Sequence, residues 1–154
     1  VEEMHELIGT FNSILKISEL EANTDFRTFE GCDLQWIITR LVDFYEPYAA
    51  EKSITLTNAI ASPLYVQGEK NLLTQAFANL LDNAIKFTPE GGSVRVEGQQ
   101  HDEGVELSIA DSGPGIPEAY RDKVFEKFFR LEMSRSARGN GLGLSLVAAI
   151  ARIH

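Results

Sequence analysis

Apolar positions along the chain recur with two different periods. In residues 1–22, Met4, Leu7, Ile8, Phe11, Ile14 and Leu15 repeat at spacings of three and four, while Glu2, Glu3, Glu6, Asn12, Ser13, Lys16 and Glu19 occupy the other side. That is the pattern of one long amphipathic helix. Its stripe needs a partner, either its own domain or the other arm of a helical bundle. Residues 23–32 (NTDFRTFEGC) read as a linker. A second helix is expected from Leu34 to Glu51, with Leu34, Ile37, Ile38, Leu41, Val42 and Tyr45 inward, Asp33 as N-cap and Pro47 as a kink. Ile54–Ile60 alternates like a half-buried strand, and Leu64–Gln67 is a short strand candidate. A third helix spans Glu69–Phe87, ended by Pro89, Gly91 and Gly92. Ser93–Gly98 and Val105–Ala110 are two further strands around a polar turn, and Leu142–Ile153 is a last helix. The mixture predicts an α+β fold, with a helical layer on a sheet.

Composition narrows the function without naming it. The 154 residues suffice for one domain and an appendage, and 44% hydrophobic content supports a core. Fourteen basic against twenty-three acidic residues give a net charge of −9, which argues against a nucleic-acid-wrapping surface. A nucleotide ligand stays open, because a phosphate site depends on local donors. The single cysteine, Cys32, excludes an internal disulfide and fits a reducing compartment. No apolar run approaches the roughly 18 residues that a bilayer span requires, and the acidic stretch VEEMHELIG has no signal-peptide core.

Three clusters carry candidate chemistry. In the third helix, Leu73, Ala76, Phe77, Leu80, Leu81 and Ala84 form the apolar face, and Gln75, Asn79, Asn83 and Lys86 stack in a second line. Asparagine is a mediocre helix former. Its amide oxygen, however, is a hard neutral ligand suited to Mg2+, and Lys86 offers a point charge to phosphate. The alternative reading of that line alone is a polar face without a ligand. DSGPGIP (Asp111–Pro117) follows a strand, so a carboxylate stands beside glycines that let a flat ligand approach. GNGLGL (Gly139–Leu144) opens the last helix and leaves N–H groups free for phosphate. The last two patterns are individually common, and GNGLGL lacks the preceding strand of a dinucleotide fingerprint.

Taken in order, these segments resemble the catalytic, ATP-binding domain of sensor histidine kinases, within the superfamily that includes gyrase, the Hsp90 chaperones and MutL. NLLDNAIKFTPEGG is similar to that family's asparagine box, DSGPGIP to its first glycine box, FEKFFR (Phe125–Arg130) to its phenylalanine box and GNGLGL to its second glycine box. The resemblance covers about residues 30–153 and implies a Bergerat-type two-layer sandwich of helices on a mixed sheet, preceded by a long amphipathic helix. It implies ATP and Mg2+ as cofactors. Asn83 and Asn79 would hold the metal, and Lys86 would contact phosphate. Phe87 would flank the nucleotide. Asp111 would accept the adenine amine, with Gly113, Gly115 and Ile116 beside the purine. Gly139, Gly141, Leu142 and Gly143 would surround the phosphates. Arg130 and Arg138 are candidates for charge near the γ-phosphate, and Phe125, Phe128 and Phe129 for a lid that docks on a partner helix or simply packs.

The resemblance also assigns domains: 1–22 as the second helix of a dimerisation and phosphotransfer hairpin, 23–32 as linker and 33–154 as the ATP-binding domain. LEAN (residues 20–23) fits the end of such a helix. His5-Glu6 is followed by LIGTFNS, without the Arg and Pro of a phosphoacceptor motif, so His5 is not expected to be the acceptor. The family continues past its last helix with strands, so the sheet is expected to be short of them here. The implied partners are ATP, a response regulator receiver domain and a second copy through the N-terminal helix. Neither nucleic acid nor membrane contact is expected of this segment, which would be cytoplasmic in a soluble or membrane-anchored parent. Two rival functions are a nucleotide-binding regulatory module without transfer, and another ATPase of the superfamily. The second normally has a water-activating glutamate where Asn79 stands.

Overall fold

A computed structural model describes residues 2–22, 28–132 and 139–154, with the side chains of residues 2–7 outside that description. Arg138, residues 23–27 of the expected linker, and the side chains of Met4, His5 and Leu7 therefore lie outside the described residues. In chain order the elements are α1 (Glu2–Ala22), β1 (Glu30–Asp33), α2 (Leu34–Glu51), β2 (Thr55–Asn58), β3 (Tyr65–Gly68), α3 (Lys70–Phe87), β4 (Ser93–His101), β5 (Gly104–Asp111) and α4 (Gly143–Ile153). Two short 3-10 turns, Glu118–Tyr120 and Lys123–Phe125, interrupt the segment between β5 and α4. The chain divides into two compact units, one of residues 28–115 and one of residues 1–27 with 116–154.

The unit of residues 28–115 is α+β. Its three-stranded sheet has the order β2-β4-β5, with β2 parallel and β5 antiparallel to β4. Strand β4 is central. Val94 and Val96 are fully buried, while Ser93, Arg95 and Glu97 alternate to the exposed side, the period expected of a strand with one covered face. Helices α2 and α3 contribute the opposite layer of the core: Leu34, Ile37, Ile38 and Leu41 from α2, and Leu73, Leu81, Ala84 and Ile85 from α3. Both helices start on side-chain caps. Asp33 Oδ1 accepts from Gln35 N at 2.9 Å, and the Glu69 carboxylate accepts from Asn71 N and Leu72 N at 3.1 and 2.9 Å. Glu69 thus caps α3 rather than beginning it. Pro47 lies inside α2 without ending it.

One boundary differs from expectation. Glu30–Cys32 belong to strand β1, which pairs antiparallel with β3 in a separate two-stranded sheet. Cys32 pairs with Val66, and its Sγ lies 3.5 Å from both Glu30 O and Gly68 O. A four-residue strand with Gly and Asp in it carries no alternation to read, and its partner lies more than thirty residues away, so local pattern was silent.

In the other unit, α1 packs on α4. The two apolar rows of α1 differ in burial within the single chain. Ile8, Phe11 and Leu15 are exposed at 53%, 61% and 46%, whereas Ile17 and Leu20 are buried together with Leu142, Leu146, Ala149 and Ile150. The buried side of α1 is therefore the row through Ile17 and Leu20. The sequence offers two apolar rows, and α4 covers the second. No helix among the described residues is long and apolar enough to cross a membrane.

Burial, reinforced by the charge of Glu30, pushes the Cys32 thiol above its ordinary pKa of 9.0. The folded chain thus holds this proton to higher pH than the unfolded chain. Its contribution to stability is complete below the unfolded value and is lost as pH rises through the folded one. Alkylation at pH 8 will label Cys32 about tenfold or more slowly in the native chain than in urea. Urea midpoints measured from pH 8 to 10 will fall, and fall less in Cys32→Ala; an equal fall would remove Cys32 from the account.

Candidate functional site

The site candidates fall on both units, and each half has its own geometry. On α3 the line Gln75, Asn79, Asn83 and Lys86 is half-buried, beside the buried row of Leu72, Leu73, Ala76 and Ala84. Asn79 Nδ2 donates to Gln75 O at 3.0 Å, which fixes the amide plane and turns its oxygen away from that carbonyl. The Lys86 ammonium sits 5.2 Å from the centroid of the Phe87 ring, and Phe87 itself is exposed.

The C-terminal end of α3 meets the loop after β5. Asp111 Oδ1 accepts from Gly113 N at 2.8 Å, closing a turn on the carboxylate. Ser112 bridges back to the start of β4: its Oγ accepts from Ser93 N at 2.8 Å and its N donates to Ser93 O at 3.0 Å. Gly113 is required by space. A Cβ there would lie 2.7 Å from Asp111 Oδ1 and 2.8 Å from Phe87 O. Gly92 fills the same role on the other side, where a Cβ would lie 2.4 Å from Thr88 Cγ2 and 2.6 Å from Ser112 Oγ. Gly115 has φ +72, a left-handed conformation that glycine adopts without strain. The last residue of α3, the helix that carries the amide line, and the loop after Asp111 thus pack against each other. Neither Ser112 nor Gly92 was given a role of its own in the sequence, where Gly92 reads as a helix stop and as the end of the asparagine-box segment.

The other unit holds the glycine-rich turn and the aromatic box. Gly141 has φ +73, and a Cβ on it would lie 2.8 Å from Phe128 C and 2.9 Å from Phe129 O. Phe128 N donates to Gly141 O at 3.0 Å, and Phe128 itself has φ +64. Arg130 Nη1 donates to Gly139 O at 2.7 Å. Asn140 Oδ1 accepts from Leu142 N at 3.2 Å, while its Nδ2 donates to Thr10 Oγ1 on α1 at 2.9 Å. Lys127 pairs with Glu21 of α1 at 3.0 Å. Helix α4 starts at Gly143 without a side-chain cap, so its first N–H groups remain available to an anion. The Leu142 side chain is buried. Phe125 and Phe128 are exposed, Phe129 is half-buried, and Ile116 is 39% exposed.

Comparison with known proteins agrees with these boxes. The model of the histidine kinase-, DNA gyrase B- and HSP90-like ATPase family matches residues 68–154, more than half of the chain. The chain is 43% identical to the adaptive-response sensory kinase SasA of Rippkaea orientalis over 74% of its own length and 30% of that protein's. It is 30% identical over its whole length to the sensor-like histidine kinase SenX3 of Mycolicibacterium smegmatis, of which it covers 41%. The chain therefore spans less than half the length of these relatives. Among solved structures it resembles the mycobacterial sensor histidine kinase MprB, with a TM-score of 0.72 and 38% identity over 82% of this chain and 80% of that one. It also resembles full-length ShkA, solved in complex with AMPPNP, with a TM-score of 0.85 and 29% identity over 99% of this chain and 32% of that one. The amide-bearing helix, the two glycine turns and these likenesses identify the chain as a member of the histidine kinase-, gyrase- and HSP90-like ATPase family, and within it as the ATP-binding domain of a sensor histidine kinase.

Proposed function

We propose that this domain binds ATP with Mg2+ and presents the γ-phosphoryl group to a histidine, from which it passes to a response regulator. The observation that carries the reading is the corner in which α3 and the Asp111 loop are packed through Phe87 O and Gly113. It supports one ligand with a purine at the carboxylate and phosphates along the amides. Asp111 accepts the exocyclic amine of adenine, beside Gly113, Gly115 and Ile116. Asn79, Asn83 and Lys86 meet the phosphate end, Phe87 flanks the nucleotide, and Gly139, Gly141 and Gly143 give backbone N–H groups to phosphate. Arg130 and Arg138 are read as charge near the γ-phosphate, and the aromatic box as a lid.

The residues fit a magnesium ion. Among the described residues no group of three or more His, Cys, Asp or Glu side chains could hold a metal. An ion here would rest on a few neutral amide oxygens and on the nucleotide's own phosphates, the arrangement Mg2+ accepts. When bound, it neutralises phosphate charge; Asn83 and Asn79 would hold it. Transfer then requires alignment more than proton chemistry. A neutral imidazole nitrogen forms the new N–P bond as the bond to the bridging oxygen breaks and ADP leaves. Asn79 cannot serve as a base for water, which favours transfer over hydrolysis.

Helix α1 is read as the second helix of a dimerisation hairpin, so that the parent protein is a homodimer with this segment on the cytoplasmic side. His5 is not assigned as the acceptor.

Calorimetric titration with Mg2+ and a non-hydrolysable ATP analogue will show binding by the native chain. Asp111→Asn and Asn83→Ala will each lose at least about tenfold in affinity, the equivalent of one charge-assisted hydrogen bond. Gly113→Ala will lose a similar amount, because its Cβ meets backbone that cannot step aside, at a cost of about 1–3 kcal/mol. A folded native chain that does not bind would overturn the reading. With labelled ATP the chain alone will form no stable phosphohistidine, and it will phosphorylate a separately added dimerisation domain carrying the acceptor histidine. Silence in that assay, with binding intact, would favour a regulatory nucleotide-binding module; a steady ATPase rate would favour another class of ATPase.

A further inference from the structure

Helix α3 ends without the usual device. A helix leaves its last carbonyls unpaired, and a left-handed glycine commonly closes them. Here the residue after the helix is Thr88, with φ −75 and ψ 129, and both its N and its Oγ turn back to the single carbonyl of Ala84, at 3.1 and 2.6 Å. The neighbouring carbonyls are taken by a side chain from the far end of another helix. Lys52 Nζ donates to Ile85 O at 2.7 Å, to Lys86 O at 3.1 Å and to Thr88 O at 2.8 Å. An ammonium has three N–H donors, and all three are used. The positive charge also faces the negative end of the helix.

Lys52 is itself well anchored. It is the C-cap of α2, where its N–H reaches Ala49 O and Ala50 O. Its own carbonyl accepts from Gly91 N at 3.1 Å, and Thr55 N, three residues on, donates to Gly92 O at 2.9 Å. Through its backbone and its side chain Lys52 thus joins the end of α2, the end of α3 and the turn into β4. Two of the three clamped carbonyls belong to Ile85 and Lys86, and the intervening peptide leads to Phe87, whose own carbonyl abuts Gly113.

We propose that Lys52 is a positioning residue for nucleotide binding: its ammonium sets where the last turn of α3 lies, and through it the register between Lys86–Phe87 and the Asp111 loop. It touches no ligand itself. The inference rests on the nucleotide reading of that corner. Removal of the ammonium leaves partly buried carbonyls without this donor, and the last turn must rearrange to find water. Arginine keeps the charge, yet its planar fork does not direct three N–H groups to a cluster of carbonyls around one point.

The test compares Mg2+ and a non-hydrolysable ATP analogue binding to the native chain, Lys52→Met, Lys52→Arg, Asn83→Ala and Val96→Ala. The last removes fully buried volume from β4, away from the clamp, and serves as the control for general destabilisation. All are measured at a temperature where circular dichroism shows them folded, with amide hydrogen exchange alongside. Lys52→Met is expected to lose about tenfold in affinity, Lys52→Arg to be only partly rescued, and Val96→Ala to bind as the native chain does. In both Lys52 variants the Thr88 amide will lose protection out of proportion to the amides of β4. If the native chain binds, Asn83→Ala weakens it, and the Lys52 variants match Val96→Ala, the positioning role is overturned while the nucleotide site stands. If Lys52→Met does not fold, native-like affinity in Lys52→Arg overturns the role alone. If the native chain itself does not bind, the site reading falls and the inference with it.

Discussion

Helix α3 has to be amphipathic in two ways at once, and the unit of residues 28–115 depends on that constraint. One face must bury Leu73, Leu81, Ala84 and Ile85 in the core shared with Leu34, Ile37 and Ile38 of α2. The adjoining line must hold Gln75, Asn79, Asn83 and Lys86 half out of water. The dry face sets the rotation of the helix about its axis, so the amides cannot turn away without exposing the core. The same burial fixes the distance to β5 and hence the close meeting of Phe87 O and Gly113. Hydrophobic packing thus supplies the rigidity, and the polar groups use it.

Much of this was legible because the signals are local and periodic. The amide line is visible as three- and four-residue spacing, Asp33 as an N-cap, and the glycine turns as short patterns whose order mattered more than any one of them. Reading failed where the deciding partner is distant in sequence. Strand β1 exists because β3 lies alongside it, and EGCD alone has no alternation. In α1 the expected row through Ile8, Phe11 and Leu15 is exposed in the single chain, and a second row through Ile17 and Leu20, which was not read, is buried. Which of two rows is buried depends on α4, some 120 residues later. Lys52 was unreadable in principle. A single lysine between a helix and a strand looks like any solvated charge, and only the geometry of three carbonyls distinguishes it.

Charge offers a parallel lesson. The chain carries −9 overall, yet the proposed phosphate contacts are a lysine, amides and helix-start N–H groups. An acidic surface and an anion site coexist because fixed dipoles and one ammonium act over a few ångströms, whereas the net charge is screened over about 8–10 Å at physiological salt. The domain needs no basic patch to hold a triphosphate, and an acidic exterior discourages unrelated polyanions.

The contact between Gly141 and Phe128 bears on how such domains can be recombined. Both residues have positive φ, a backbone hydrogen bond joins them, and no room remains for a Cβ between them. The aromatic box and the second glycine turn are therefore a single conformational module written in two pieces of sequence. A chimera that takes one piece from a relative and keeps the other would inherit two halves of a backbone fit that were never shaped to each other. A crossover placed outside residues 125–143 would move the module whole.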